Sequence, residues 1–129
     1  MARLERFEDT DAWKKARELT KSVYQVTSIG EFARDCGLRD QVRRAAVSVM
    51  SNIAEGFERS GEREFFHFLS LAKGSCGEIR AQFYVALDQA YINNTQFQEL
   101  SERATEISRL LAGLMKYLST SGIRGGKPI

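Results

Sequence analysis

Residues Phe65, Leu69, Ala72, Cys76, Ile79, Phe83, Ala86 and Ala90 follow one another at gaps that alternate between four and three. That alternation tracks the 3.6-residue turn of an α-helix and keeps one apolar seam pointed at a neighbour along its whole length. A strand, whose side chains change face at every residue, has no use for such a spacing. A seam this long needs partners of similar length, which confines the chain to packed helices.

Three more segments supply those partners. The first runs from about Asp9 to Thr27 and aligns Trp13, Ala16, Leu19, Val23 and Val26, with Phe7 placed to staple its start at Asp9 or Thr10. A loop, SIGEFARDCG, follows. The second runs from about Leu38 to Phe57, with Val42, Ala45, Ala46, Val49, Ile53 and Phe57 on one side. The seam from Phe65 to Ala90 belongs to a third helix that starts after Ser60-Gly61, where Glu62 and Glu64 suit the positive end of the helix dipole. The fourth starts at Asn94-Thr95, with Thr95 and Gln98 as a capping-box pair, and aligns Phe97, Leu100, Ala104, Ile107, Leu111, Leu114 and Leu118. No strand pattern competes. The 129 residues suit one domain. The expectation is an all-α fold, an antiparallel up-down-up-down four-helix bundle over residues 1–120, with helices at about 9–27, 38–57, 61–91 and 95–119. The tail SGIRGGKPI, residues 121–129, has no periodicity and is expected to be flexible.

The second helix is too apolar for a monomer. Residues 45–54, AAVSVMSNIA, carry no charge on any side, so Val47, Ser51 and Ala54, outside the core stripe, also need cover. In the third helix, Leu71, Gly74, Ala81 and Val85 lie opposite the main stripe. Gly74 and Gly77 each cost up to about 1 kcal/mol relative to Ala in a helix interior, a cost that makes sense where another backbone comes close. Helices apolar on two sides predict a homo-oligomer.

The residues offer little for catalysis. His67 is the single histidine and faces away from the stripe; it shares a helix face with Arg63, at a spacing shorter than that of small helical ribonucleases. No His, Cys or carboxylate cluster has metal-ligand spacing, and GSCGE at 74–78 lacks the lysine of a phosphate-binding loop. No cofactor is implied. Glu55 and Glu78 are read as partners for basic residues such as Arg44 or Arg80 at a helix seam rather than as an acid–base pair. Cys36 and Cys76 fit reduced thiols in a cytoplasmic protein, and MARLERFEDTDAW has no apolar core of signal-peptide length. The uncharged run at 45–54 is far below membrane-spanning length, so no membrane partner is expected.

With 19 basic and 17 acidic residues, a net charge of +2, nucleic-acid affinity would have to come from local or assembled patches. Candidates are Lys14, Lys15, Arg17 and Lys21 in the first helix and Arg39, Arg43 and Arg44 at the start of the second, with Arg124 and Lys127 in the tail. Repeated around an oligomer, such clusters would hold a phosphate backbone without reading bases.

Three blocks carry a resemblance. Phe7, Asp11, Trp13 and Ala16 open it; Gln41, Arg43, Arg44 and Ala45 lead into Ser51, Asn52, Ile53, Ala54, Glu55 and Gly56; then come Phe68, Leu69, Ala72, Gly74, Ser75 and Glu78. In order and spacing they resemble the four-helix-bundle family, also called the 23S ribosomal RNA intervening-sequence protein family, over residues 7–118. Met50 stands where many members carry a proline, so this helix is expected to be straighter. The resemblance implies a bundle assembling as a ring-shaped homopentamer, with the Ser51–Gly56 block, Gly74, Ser75 and Glu78 as packing and assembly positions. It also implies kinship with retroelement accessory proteins that contact a reverse transcriptase and nucleic acid, and it implies no enzymatic activity. The expected function is a non-enzymatic oligomer binding RNA or DNA through backbone contacts; the alternative is a scaffold that docks a partner protein such as a reverse transcriptase.

Overall fold

The computed structural model describes residues 6–121. A short 3-10 turn, Phe7–Asp9, leads into α1 (Asp11–Val26), α2 (Gly30–Arg34), α3 (Cys36–Glu58), α4 (Glu62–Asp88) and α5 (Asn94–Ser121). The described residues form no strand, so the described fold is all-α. The last helix takes in Ser121, which begins the segment expected to be flexible; residues 122–129, with Arg124 and Lys127, lie outside the described residues.

The apolar stripes meet in one core. Leu19, Val23, Val49, Ile53, Leu69, Ile79, Phe83, Ile107 and Leu111 are all essentially inaccessible to water. The principal neighbours are α3 with α4, α4 with α5, and α1 with both α3 and α5. Burying a side chain of this size is worth roughly 1.5–3 kcal/mol, which is what holds helices of modest intrinsic stability in place.

Two close contacts set the spacing of α3 and α4. Gly56, near the end of α3, is buried against Phe65 and Phe68, near the start of α4. A Cβ on Gly56 would stand 2.8 Å from the Cβ of Phe68 and 3.1 Å from the Phe65 ring, distances that only a displaced helix could accommodate. Two turns earlier in α3, Ser48 Oγ lies 3.0 Å from Ser75 Oγ. Asn52 donates from Nδ2 to both the Ser48 carbonyl (2.9 Å) and Ser48 Oγ (3.0 Å), fixing that hydroxyl.

The segment expected as a loop contains α2, and its Phe32 is fully buried. Phe32 stacks on Tyr91 at 5.3 Å between ring centroids. Tyr91 in turn donates its hydroxyl to Asp35 Oδ2 at 3.0 Å, while Asp35 Oδ1 accepts from the Leu38 amide at 3.1 Å and caps α3. One aspartate therefore starts α3 two residues before the expected position and ties it to the segment after α4. The bond to Asp35 also raises the Tyr91 pKa above its ordinary value, because the neutral phenol is the form that donates.

Helix ends correct two further expectations. Ala90 does not extend the α4 seam: it has φ 62° and is exposed. The Tyr91 amide reaches back to the Ala86 carbonyl (2.8 Å) and the Ala90 amide to that of Leu87 (2.9 Å), a Schellman closure with alanine at the left-handed position that glycine usually fills. At the start of α5 the reciprocal cap is Asn93 with Gln96, through bonds of 2.9 and 2.8 Å, rather than Thr95 with Gln98. Asn93 precedes the first helical residue, so its side chain can reach amides that Thr95, already inside the helix, cannot. At α1, Thr10 Oγ1 accepts from the Trp13 amide and Phe7 packs edge-on against Trp13 at 5.2 Å, close to the expected staple.

Two glycine exchanges should act in opposite directions. Gly56→Ala is expected to destabilise the chain by about 1–3 kcal/mol through overpacking, and Ala90→Gly to stabilise it by up to about 1 kcal/mol by relieving the left-handed alanine. Urea denaturation midpoints measure both; an unchanged midpoint for Gly56→Ala would remove the tight α3–α4 contact as a determinant of the fold.

Candidate nucleic-acid interface

The seven cations singled out from the sequence do not form one patch. Lys14, Arg17 and Lys21 are exposed and recur at i, i+3 and i+7, so they share the outer side of α1. Lys14 and Lys21 form no ion pair among the described residues. The Arg17 guanidinium lies 5.9 Å from the Trp13 ring centroid, and Lys15 pairs with Glu106 of α5 at 3.5 Å.

Arg39 and Arg43 hold the corner between α1, α2 and α3. Arg39 donates from Nη1 to the Ala33 carbonyl and from Nε to Asp40 Oδ1, both at 2.9 Å. That bond, reinforced by charge attraction, raises the Arg39 pKa and lowers that of Asp40. Arg43 donates from Nε to Thr27 Oγ1 (2.8 Å) and from Nη2 to Ser28 Oγ (3.1 Å), with its guanidinium 4.5 Å from the Tyr24 ring centroid. Thr27 is fully buried and its hydroxyl donates to the Val23 carbonyl at 2.7 Å. Arg44 lies elsewhere, lining a shallow cleft of about 190 Å³ on the α3–α4 seam with Gln41, Ser48 and Glu78.

The motif positions divide between core and surface. Ile53 and Gly56 are buried, Asn52 and Ala54 half-buried, Ser51 and Glu55 exposed. Glu55 does not pair with Arg44 or Arg80. It pairs with Arg59 at 2.8 Å, one turn later on the same face of the chain, and Arg59 also approaches Glu64 (3.7 Å) and lies 5.0 Å from the Phe68 ring centroid. Glu78 is exposed and forms no ion pair among the described residues. Both carboxylates are exposed, Glu55 beside the α3–α4 turn and Glu78 on the rim of the cleft that Arg44 also lines. Gly74 and Gly77 have no atom within 4 Å of an added Cβ, so no backbone of the same chain approaches them. Ser48 and Arg59, which link the motif to α4, were not singled out from the sequence; the Ser48–Asn52 spacing of one turn was the available signal.

His67 and Arg63 are exposed on α4, and the described residues contain no group of three or more His, Cys, Asp or Glu placed to hold a metal ion. Cys76 is fully buried and burial pushes its thiol up to about 11, which suppresses the reactive thiolate; Cys36 is exposed. No helix among the described residues is long and apolar enough to cross a membrane.

Cations that serve as struts should be separable from free ones by stability. Arg43→Ala is expected to cost about 1–3 kcal/mol, from two charge-assisted bonds and a ring contact, whereas Lys14→Ala should stay within about 0.5 kcal/mol of the parent. Equal urea midpoints for the two variants would return Arg43 to the free cations.

The chain is similar to proteins known by family and by structure. A crystal structure of a protein of unknown function from the S23 ribosomal protein family of Bacteroides thetaiotaomicron superposes with a TM-score of 0.75 at 20% identity, covering 81% of this chain and 98% of that one. No curated protein matches the chain. The model of the 23S rRNA-intervening sequence protein family matches residues 8–113, through the α1 basic side, the Ser51–Gly56 block and most of α5. The chain belongs to the 23S rRNA-intervening sequence protein family.

Proposed function

We propose that the chain is a non-enzymatic protein that binds RNA or DNA through backbone contacts as a homo-oligomer, a ring of five four-helix bundles. The observation that carries the nucleic-acid reading is the exposed row Lys14, Arg17 and Lys21 on α1, of which the two lysines form no ion pair among the described residues. Repeated by symmetry, such a row supplies a sequence-independent attraction for phosphates. The name of the family, taken from the 23S rRNA intervening sequence, agrees with an RNA context. The pairing of late α3 with early α4, through Gly56 and Phe68, is the kind that antiparallel neighbours make.

Self-association rests on a different surface. Val47 (39%), Leu71 (43%) and Val85 (45%) stay exposed on α3 and α4. Ser51, Gly74 and Ala81 between them are small and exposed, which would let a helix of a second copy come close. A protein-docking role is the second reading, favoured by Ile29, 70% exposed at the α1–α2 corner; pull-down from nuclease-treated lysate separates the two, because a protein partner survives that treatment.

Two measurements test the proposal. Affinity for a mixed-sequence RNA should fall steeply as salt rises, with little sequence preference, and Lys14→Glu with Lys21→Glu should lower it alike for every sequence. Salt-insensitive binding, or none at low salt with the assembly intact, rejects the nucleic-acid reading. Val47→Glu and Leu71→Glu should give smaller species by light scattering with helicity retained; full-size assemblies from both variants place the interface elsewhere.

A further inference from the structure

Between α4 and α5 lies an open cavity of about 460 Å³, within the size range of small-ligand sites. One wall is aromatic. Tyr84, 58% exposed, meets Phe97 edge to face at 4.8 Å between centroids. Arg80 and Arg109 also line the cavity, and neither makes an ion pair or hydrogen bond among the described residues. Ser101 is also among the lining residues, with its Oγ shielded from water. Two carboxylates line it as well as Thr105: Glu106, held by Lys15 at 3.5 Å, and Glu102, which has no ion pair or hydrogen bond among the described residues.

We infer that this cavity binds a nucleotide unit. The exposed Tyr84 ring offers a stacking surface to a base, sequence-tolerant because every base has a π-face. Arg80 and Arg109 supply planar, permanently charged donors for a phosphate. The carboxylates argue against a bare polyanion, which they would repel, and for a ligand with one phosphate and an amino-bearing base, since Glu102 accepts from an exocyclic amino group. None of these residues belongs to the α1 row, so the site is a second one. The nucleotide can be free or part of a single strand; only the strand form rests on the nucleic-acid reading above. A duplex, with its bases stacked inside, presents no free ring to Tyr84.

Calorimetric titration of the whole chain with adenosine 5′-monophosphate, and fluorescence titration with a single-stranded oligoadenylate and a duplex of equal length, test this. Adenosine alone and inorganic phosphate alone should bind at least about tenfold more weakly than the monophosphate, since each occupies one half of the site. Tyr84→Ala is expected to weaken the monophosphate about fivefold or more, the low end of what loss of one base–aromatic stack costs. Arg80→Ala with Arg109→Ala should abolish the preference for the monophosphate over adenosine. All three side chains line a surface cavity, and unchanged circular dichroism verifies folding. Binding of the free nucleotide without the strand upholds the site and removes the polymer reading. Strand binding that ignores Tyr84→Ala and the double arginine variant, yet fails with Lys14→Glu and Lys21→Glu, overturns the site and leaves the polymer reading standing. No binding of either nucleotide form at millimolar concentration overturns it outright.

Discussion

The near-contact of α3 and α4 at Gly56 sets the geometry on which the rest depends. With 2.8 Å separating a hypothetical Cβ from that of Phe68, any side chain at Gly56 would push the helices apart. Their separation determines whether Ser48 and Ser75 can bond at 3.0 Å and whether Ile53, Leu69 and Cys76 close the core without a void. A glycine inside a helix costs up to about 1 kcal/mol, but the burial it permits along two long helices outweighs that cost. Met50, which keeps its amide where a proline would not, leaves α3 helical from Cys36 to Glu58 through this contact.

The two ends of the molecule are closed by polar groups that each do two jobs. Asp35 caps α3 with one carboxylate oxygen and receives Tyr91 with the other. Arg43 bonds Thr27 and Ser28 at the end of α1 while lying near Tyr24. Arg59 joins Glu55 and Glu64 across the α3–α4 turn. Helix termini leave amides and carbonyls unsatisfied, so corners of this kind are where polar side chains gain most. Charges spent there are withdrawn from binding, and this is why the basic residues of α1 and α3 differ in kind despite similar sequence density. Lys14 and Lys21 lie on the exposed side of α1 and form no ion pair among the described residues, whereas Arg39 and Arg43 sit beside the α1–α2–α3 corner.

The surface holds two regions of unlike chemistry. One, on α3 and α4, is apolar and finely stepped, with Val47 and Leu71 among serine and glycine. The other, between α4 and α5, combines aromatic rings, guanidiniums and carboxylates around a cavity. The first has small residues that leave open space, as at Gly74. The second suits a ligand with both a flat face and a charge. α4 contributes to both because its residues outside the core seam cover more than one side: Leu71, Gly74 and Ala81 on one, Arg80 and Tyr84 on another.

Periodicity alone was enough to place the four long helices and nearly all of their buried side chains, from Leu19 to Leu118, because burial on a helix repeats every 3.6 residues and needs no knowledge of partners. The signature residues likewise marked out the family before any contact was known. What periodicity could not reach were the ends and the pairings. α2 is too short to show a period, and Phe32, stacked on Tyr91, anchors it to the core. Ala90 continued the seam on paper but turns left-handed, because the following Tyr91 has a place beside Phe32 and Asp35. Glu55 and Glu78 looked buried when set among apolar neighbours; the packing of α3 on α4 puts both outside. Which arginines are struts, and that Arg80, Tyr84, Ser101 and Arg109 share one cavity, depends on residues far apart in the chain. The sequence by itself determined which side of each helix turns inward, since that is a local matter of hydrophobic spacing. The tertiary structure alone decided which polar groups meet, since such bonds depend on distances of a few ångströms between helices that spacing along one helix does not encode.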